Sequence, residues 1–296
     1  MSIAGTYSAT GHVETCPDIN GPACAAMPVA AQWHDLKLSF GDLRVHAEYG
    51  ILDWLSVDLM WSLRVVHTQF QLQDAATRVP IASPFGEELH HRSETIVGLA
   101  DPWLSLRAVK LLGPWAFVFR AGATLPVGST VDNPFRLARE GKSHQHIQLG
   151  TGTVDPFVEV EVRRVIRRFT LSAWLLGKAA VYENTHGYRA GAQLQGGVDL
   201  ASGLWTSRWT FSLGVLAYHE EAERWSGDVE TEGNLGRTDL MLNTSVAWRF
   251  VGDWSIALGA RVPFQSWAVG AQLTTPAVGV LTVSRPFDLR WPRRAR

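Results

Sequence analysis

Apolar and polar residues alternate with a period of two along most of the chain, and helical periodicity is almost absent. One run sets Leu55, Val57, Leu59, Trp61, Leu63 and Val65 against Ser56, Asp58, Met60, Ser62 and Arg64. A second sets Tyr188, Ala190, Ala192, Leu194, Gly196, Val198 and Leu200 against Arg189, Gly191, Gln193, Gln195, Gly197 and Asp199. Such runs outlast an ordinary globular strand of about five or six residues and match the roughly 9 to 11 that cross a bilayer at a tilt. The pattern predicts strands at 3–13, 35–50, 54–72, 94–111, 115–125, 153–163, 169–182, 188–200, 208–219, 238–250, 254–264 and 277–287.

Between these strands, short connections at 50–53, 112–114, 164–168, 201–207 and 251–253 alternate with longer ones at 73–93, 126–152, 220–237 and 265–276. Short turns at one end and long loops at the other are the signature of a transmembrane barrel. The fold class expected is therefore all-β, a single closed antiparallel transmembrane β-barrel of about 12 strands, spanning 1–287 and followed by a short basic tail at 288–296. Two points test this count. The connection at 183–187 is short where a long loop is due, and strand 3–13 has to exist for the strand number to be even. Trp54, Trp115, Trp205, Trp209, Trp248 and Trp254 cluster near the short turns, where an interfacial girdle would hold indoles at headgroup level. Tryptophans packed in a soluble core near hairpin ends would give the same spacing.

A phrase occurs twice. Gly98-Leu99-Ala100-Asp101-Pro102-Trp103-Leu104 recurs as Gly152-Thr153-Val154-Asp155-Pro156-Phe157-Val158. After each proline the aliphatic residues Leu104, Leu106 and Val158, Val160, Val162 keep one parity, and the aspartate's parity carries Trp103, Ser105, Arg107 and Phe157, Glu159, Glu161, Arg163. In a soluble sandwich the charged face meets water; in a membrane barrel the greasy face meets lipid and the charged face lines the lumen. Proline removes a ladder donor and glycine tolerates a bulge, so each strand should bend at the phrase and aim its aspartate inward, in a turn-capping or a functional role.

Composition narrows the field. A net charge of −1 over 296 residues and no basic stripe interleaved with aromatics leave no case for nucleic acid. No apolar run of about 18 residues is present, so no transmembrane helix is expected. Met1 to Thr6 lack a basic segment followed by an apolar one. No signal peptide is therefore visible: either an export signal has been removed, its coding start has been missed, or the protein stays inside. Cys16 and Cys24 in a Pro/Gly-rich stretch fit a small loop disulfide outside the cytoplasm, or two unpaired thiols.

The polar parity collects Asp58, Arg64, Asp101, Arg107, Arg120, Asp155, Glu159, Glu161, Lys178, Arg189, Asp199, Arg208, Asp239, Arg249 and Arg261. In a narrow barrel these form cross-strand ion-pair ladders, either as a stabilising network or as a polar lining for a small solute. Asp101, Asp155, Glu159, Glu161, Arg107, Arg120, Arg189, Arg208 and Arg261 are the candidate lining. His90, His91, His144 and His146 flank the two aspartates, but loop histidines are commonly solvated and no metal site is expected. A Gly-x-Ser-x-Gly elbow, a His-Glu-x-x-His helix, a phosphate loop and a dinucleotide fingerprint are all missing, so neither an enzyme nor a cofactor is expected.

Gln148-Leu149-Gly150-Thr151-Gly152-Thr153-Val154-Asp155-Pro156, with Gly98-Leu99-Ala100-Asp101-Pro102 and Leu125-Pro126-Val127-Gly128, resembles the bacterial family named for the MetA pathway of phenol degradation, chiefly over residues 93–165. The resemblance implies an outer-membrane β-barrel moving small, often aromatic or hydrophobic compounds. Phe287 followed by nine further residues departs from the usual aromatic ending of such barrels. The function expected is a bacterial outer-membrane, porin-like channel for passive uptake, with membrane lipid and a small solute as partners and the oligomeric state open. A structural or adhesion barrel with a plugged lumen and partner-binding loops is the alternative, and a barrel-borne lipid hydrolase a third.

Overall fold

The computed structural model describes residues 1–14, 32–82, 92–202, 208–231, 233–250, 253–269 and 277–286. Its strands are β1 (Ser2–Glu14), β2 (Gln32–Leu52), β3 (Leu55–Asp74), β4 (Glu94–Leu99), β5 (Trp103–Leu112), β6 (Trp115–Thr124), β7 (Asp155–Ile166) and β8 (Phe169–Lys178). There follow β9 (Tyr188–Arg189), β10 (Gln193–Ser202), β11 (Trp209–Glu220), β12 (Arg224–Trp225), β13 (Arg237–Arg249), β14 (Ser255–Ala268) and β15 (Val278–Ser284). One short helix, α1 (Pro134–Arg139), sits between β6 and β7; Asn133 caps it by accepting from the Arg136 N–H.

Antiparallel neighbours follow one another around the wall, and β1 joins β15 through Ser2↔Thr282 to Thr6↔Val278, which closes the sheet. The sheet has 13 hydrogen-bonded segments; β4 and β5 pair with successive stretches of β3 and are two halves of one strand, so the closed barrel has 12. Strand 3–13 is present as β1, which pairs with β2 over its whole length.

The alternation read from the sequence becomes two faces. Leu104 and Val160 are 42% and 44% exposed on the outer face, as are Leu59, Leu63, Phe117, Leu171, Val198, Phe211 and Leu258 on other strands. Asp101, at 9%, and Asp155, at 0%, point inward. Trp54, Trp115, Trp209, Trp248 and Trp254 are exposed near the short-turn end, with Trp209 stacked on Trp248 at 5.9 Å and Trp248 on Phe250 at 5.1 Å. Trp205, Phe287, the 288–296 tail, His90, His91 and the Cys16–Cys24 pairing lie outside the described residues.

Two expectations change. The predicted strand 188–200 splits: β9 leaves the wall to pair with β12 in a separate two-stranded sheet, and the wall resumes only at β10. The apparent short connection at 183–187 is therefore part of a long loop over 179–192, as the alternation of loop lengths requires. Tyr188 and Ala190 keep the parity of a wall strand but pack against Phe135 and Trp225 instead. The predicted strand 94–111 bends at the phrase as expected but is also interrupted there, because Leu63↔Leu99 and Met60↔Trp103 leave Ala100, Asp101 and Pro102 opposite only Trp61 and Ser62. Three residues against two make a bulge, pinned by the Ala100 N–H on the Ser62 carbonyl at 2.9 Å and by Trp61 Nε1 on the Ala100 carbonyl at 2.8 Å. It switches parity: Glu94 and Ile96 face in above it, while Ser105 and Arg107 face in below. The second phrase has no such bulge; Asp155 begins β7.

Candidate functional site: the barrel interior and its inner loop

The two copies of the repeated phrase meet inside the barrel. Asp101 Oδ1 accepts from the N–H groups of Val127 and Gly128 at 3.1 and 2.8 Å, and Oδ2 accepts from the Thr151 N–H at 2.7 Å. The Thr151 hydroxyl oxygen lies 3.0 Å from Asp101 Oδ2 and 3.0 Å from Asp155 Oδ2; with one proton it serves one carboxylate at a time. Asp155 also accepts from the Thr153 hydroxyl at 2.5 Å and has Lys178 Nζ at 3.8 Å. Trp103 and Phe157, which follow the two prolines, pack at 4.8 Å between ring centroids. Between their strands, β6 presents Gly122, where a Cβ would lie 2.1 Å from the Leu104 carbonyl oxygen. Any larger residue would push the strands apart.

Asp101 thus clamps both ends of the 125–154 loop. Gly128 and Gly150 lie back to back beside it: a Cβ on Gly150 would stand 2.5 Å from Asp101 Oδ1 and 2.7 Å from Gly128 Cα. Held this way, the returning limb of the loop enters the barrel. Leu149 is buried against Leu38 and Val66 of the inner wall, with Leu36, Phe40, Ile96 and Ile147 around them. The two aspartates predicted as solute lining face inward, but their oxygens are taken by the loop and by Lys178, and they are buried under it.

Nearer the short-turn end, charged side chains crowd one arc of the inner wall, on β2 to β7. Arg120 pairs with Glu159 and lies 3.8 Å from Asp58; Asp58 in turn pairs with His46 and accepts from Ser105 at 3.4 Å. Arg107 donates to Glu48 at 2.9 Å, and Ser56 donates to the same oxygen at 2.6 Å. Asp42 takes Arg64 at 2.8 Å and Arg44 at 2.9 Å; Glu161 takes Arg163. Of the predicted lining, Arg107, Arg120, Glu159 and Glu161 belong to this arc. Asp42, Arg44, His46 and Glu48 join it without having been singled out, although their even parity against Leu43, Val45 and Tyr49 was a readable signal.

The opposite arc is sparser. Asp199 on β10 accepts from Trp174 Nε1 at 3.3 Å and from the Asn243 amide at 2.9 Å; Gly214 between their strands makes room for this contact. Asn243 stands opposite Arg261 on β14. Arg261 is exposed to the interior, and no carboxylate lies within ion-pair distance of it among the described residues. Two predicted lining residues lie elsewhere. Arg189 sits on β9 in the small outer sheet, because that segment leaves the wall; Arg208 is exposed just before β11, at the short-turn rim.

Beyond the wall, described parts of three long loops form a cap. Phe135 of α1, Tyr188 of β9 and Trp225 of β12 pack together, with Tyr188 and Trp225 rings 4.8 Å apart. Glu223 accepts from Trp225 Nε1 at 3.1 Å and from the Asn234 N–H at 3.2 Å, and burial raises its carboxyl above the ordinary range. Burial, with Glu223 beside it, also raises the Tyr188 phenol. His144 and His146 rings are 5.2 Å apart, but no group of three or more His, Cys, Asp or Glu side chains suited to a metal ion occurs among the described residues.

No family model and no curated protein matches the chain. Among solved structures, the COG4313 outer membrane channel from Pseudomonas putida F1 aligns with a TM-score of 0.57 at 10% identity, covering 96% of this chain and 95% of that one. A FadL homologue of Pseudomonas aeruginosa aligns with a TM-score of 0.43 at 10% identity, over 95% of this chain and 88% of the other. The first likeness extends over the whole wall, and the shared feature is the fold: a closed, outer-membrane-type β-barrel.

Proposed function

We propose that the protein is a bacterial outer-membrane channel through which small solutes diffuse. The observation that carries this reading is the division of one closed sheet into an apolar outer face with a tryptophan girdle and a charged, paired inner face. An apolar exterior on a closed barrel suits lipid, and a charged interior needs water. The similarity to a solved outer membrane channel supports the same reading. Short turns would face the periplasm and the capped loops the exterior.

A solute would pass the aromatic cap, slide along the apolar patch around Leu149, and meet Arg261 across from the ion-paired arc. An apolar body carrying one anionic or polar group matches that order of surfaces, which favours small aromatic or hydrophobic acids. The inner loop narrows the path, so modest currents are expected. Purified protein in planar bilayers should give steady single-channel steps, and Arg261→Glu should move the reversal potential in a salt gradient toward cation preference. Absence of current across lipid compositions would sink the channel reading and favour a barrel plugged by its inner loop.

A further inference from the structure

On the outer face of β3 to β8 the side chains are apolar or neutral with two exceptions, Lys110 and Arg164, both cationic. They stand on either side of β6, offset by two residues. Lys110 pairs in register with Phe117, and Arg164 with Trp115, so the two cations flank the same two rings of β6. Those rings stack at 6.4 Å, and the Arg164 guanidinium lies 4.8 Å above Trp115. Neither cation has an acidic partner within ion-pair distance among the described residues. The acids of these two hairpins, Asp155, Glu159 and Glu161, lie on the inner parity with Lys178, Arg120 and Arg163, while the adjoining turn adds Arg167 and Arg168. Asp53, next to Trp54, is the one acid in the neighbouring turn.

Beside Lys110 the wall is recessed. A groove of about 600 Å³ is lined by Trp54, Ala108, Lys110, Phe117, Phe119 and Glu161, the last with its carboxylate turned to Arg163 on the inner face, while Arg164 stands outside the groove beside Trp115. It is comparable in volume with small-molecule sites, which run at about 300–1,000 Å³. Ala108 is the smallest side chain of the lining, among the rings of Trp54, Phe117 and Phe119. A cation costs free energy on a lipid-facing wall unless something neutralises it, and nothing in the described chain does. The tryptophans beside it mark the headgroup level, where a phosphate is in reach of an arginine fork and a lysine ammonium.

We propose that this groove is a binding site for one anionic phospholipid, with an acyl chain lying in the recess over Ala108 and the phosphate held between Lys110 and Arg164. The site rests on the reading of the outer face as lipid-facing. It is independent of whether the lumen conducts.

The test is native mass spectrometry of the detergent-solubilised protein, titrated with phosphatidylglycerol or phosphatidylcholine of the same chains. Wild type should retain a single phosphatidylglycerol at a concentration roughly tenfold or more below that needed for phosphatidylcholine, as two interfacial cations allow. Lys110→Gln with Arg164→Gln should erase that preference while the barrel keeps its heat-dependent gel shift. Ala108→Phe, which fills the recess, should weaken both lipids and spare the preference. Glycerol phosphate, the headgroup without chains, should not compete. Equal retention of the two lipids by wild type, or an undiminished preference in the double variant, would overturn the site. A protein that stays monodisperse without detergent and retains neither lipid would instead overturn the membrane reading beneath it.

Discussion

The clamp at Asp101 can be broken by one substitution. Asp101→Ala removes the acceptor for the Val127, Gly128 and Thr151 N–H groups, at 3.1, 2.8 and 2.7 Å, and for one approach of the Thr151 hydroxyl. Hydrogen bonds to a charged group contribute about 1.5–3 kcal/mol each, but they are not additive, and water replaces part of what is lost once the loop lifts. A net cost of about 3 kcal/mol is expected for keeping the 125–154 loop inside the barrel, which corresponds to roughly a hundredfold rise in its open population. Because β4 and β5 stay paired with β3 on either side, the wall should survive. The assay is amide hydrogen exchange in detergent. Residues 127, 128, 149 and 151 should lose protection by about that factor while β7 and β8 amides do not change. Asp101→Asn keeps one acceptor oxygen and should fall between. If the Ala variant protected the loop amides as well as wild type does, Asp101 would not be what holds the loop, and the inner-wall packing of Leu149 would be sufficient by itself.

Two further outcomes follow from separate features. Gly122→Ala places a Cβ 2.1 Å from the Leu104 carbonyl oxygen, a backbone clash that should cost about 2 kcal/mol or more and lower the urea midpoint of the refolded barrel; an unchanged midpoint would mean that β5 and β6 can separate freely. Burial raises the Glu223 carboxyl, so the closed cap holds that proton to higher pH than the opened cap. Cap stability should therefore be full below the ordinary carboxyl range and fall as pH rises through the raised value. Exchange at the Asn234 amide should speed up over that window, and Glu223→Gln should flatten the response; an equal slope in the variant would assign it to another group.

The wall was legible in the sequence because every wall residue has one of two environments, and a period of two records which. Strand 3–13, observed as Ser2–Glu14, was expected because the strand count had to be even, and Trp54, Trp115, Trp209, Trp248 and Trp254 lie near the short turns as expected. The same code misread Tyr188 and Arg189, since a two-residue strand in the cap shows the same parity as a wall strand. Alternation also could not reveal the parity switch at Ala100 to Pro102, which is defined by register against β3. The site was half legible. Strand parity put Arg107, Arg120, Glu159 and Glu161 on the inner face, but Glu48, the partner of Arg107 on β2, was not singled out although the alternation of β2 was available. The inward course of the 125–154 loop had no periodic signal, and only the glycines and the aspartate of the repeated phrase hinted at a close approach.

The closing seam has a consequence for how the barrel comes together. Among the described residues, β1 meets β2 along 13 residue pairs from Ser2 to Glu14, and meets β15 along five. Every other wall contact joins segments near each other in the chain, whereas the Met1 amino group reaches the Val283 carbonyl across a separation of 282 residues. Joining such distant segments has the largest loop-closure entropy of any contact in the wall. The clasp between first and last strands is therefore expected to be the slow step of assembly. Until it forms, two unpaired strand edges are open to any third strand that comes by.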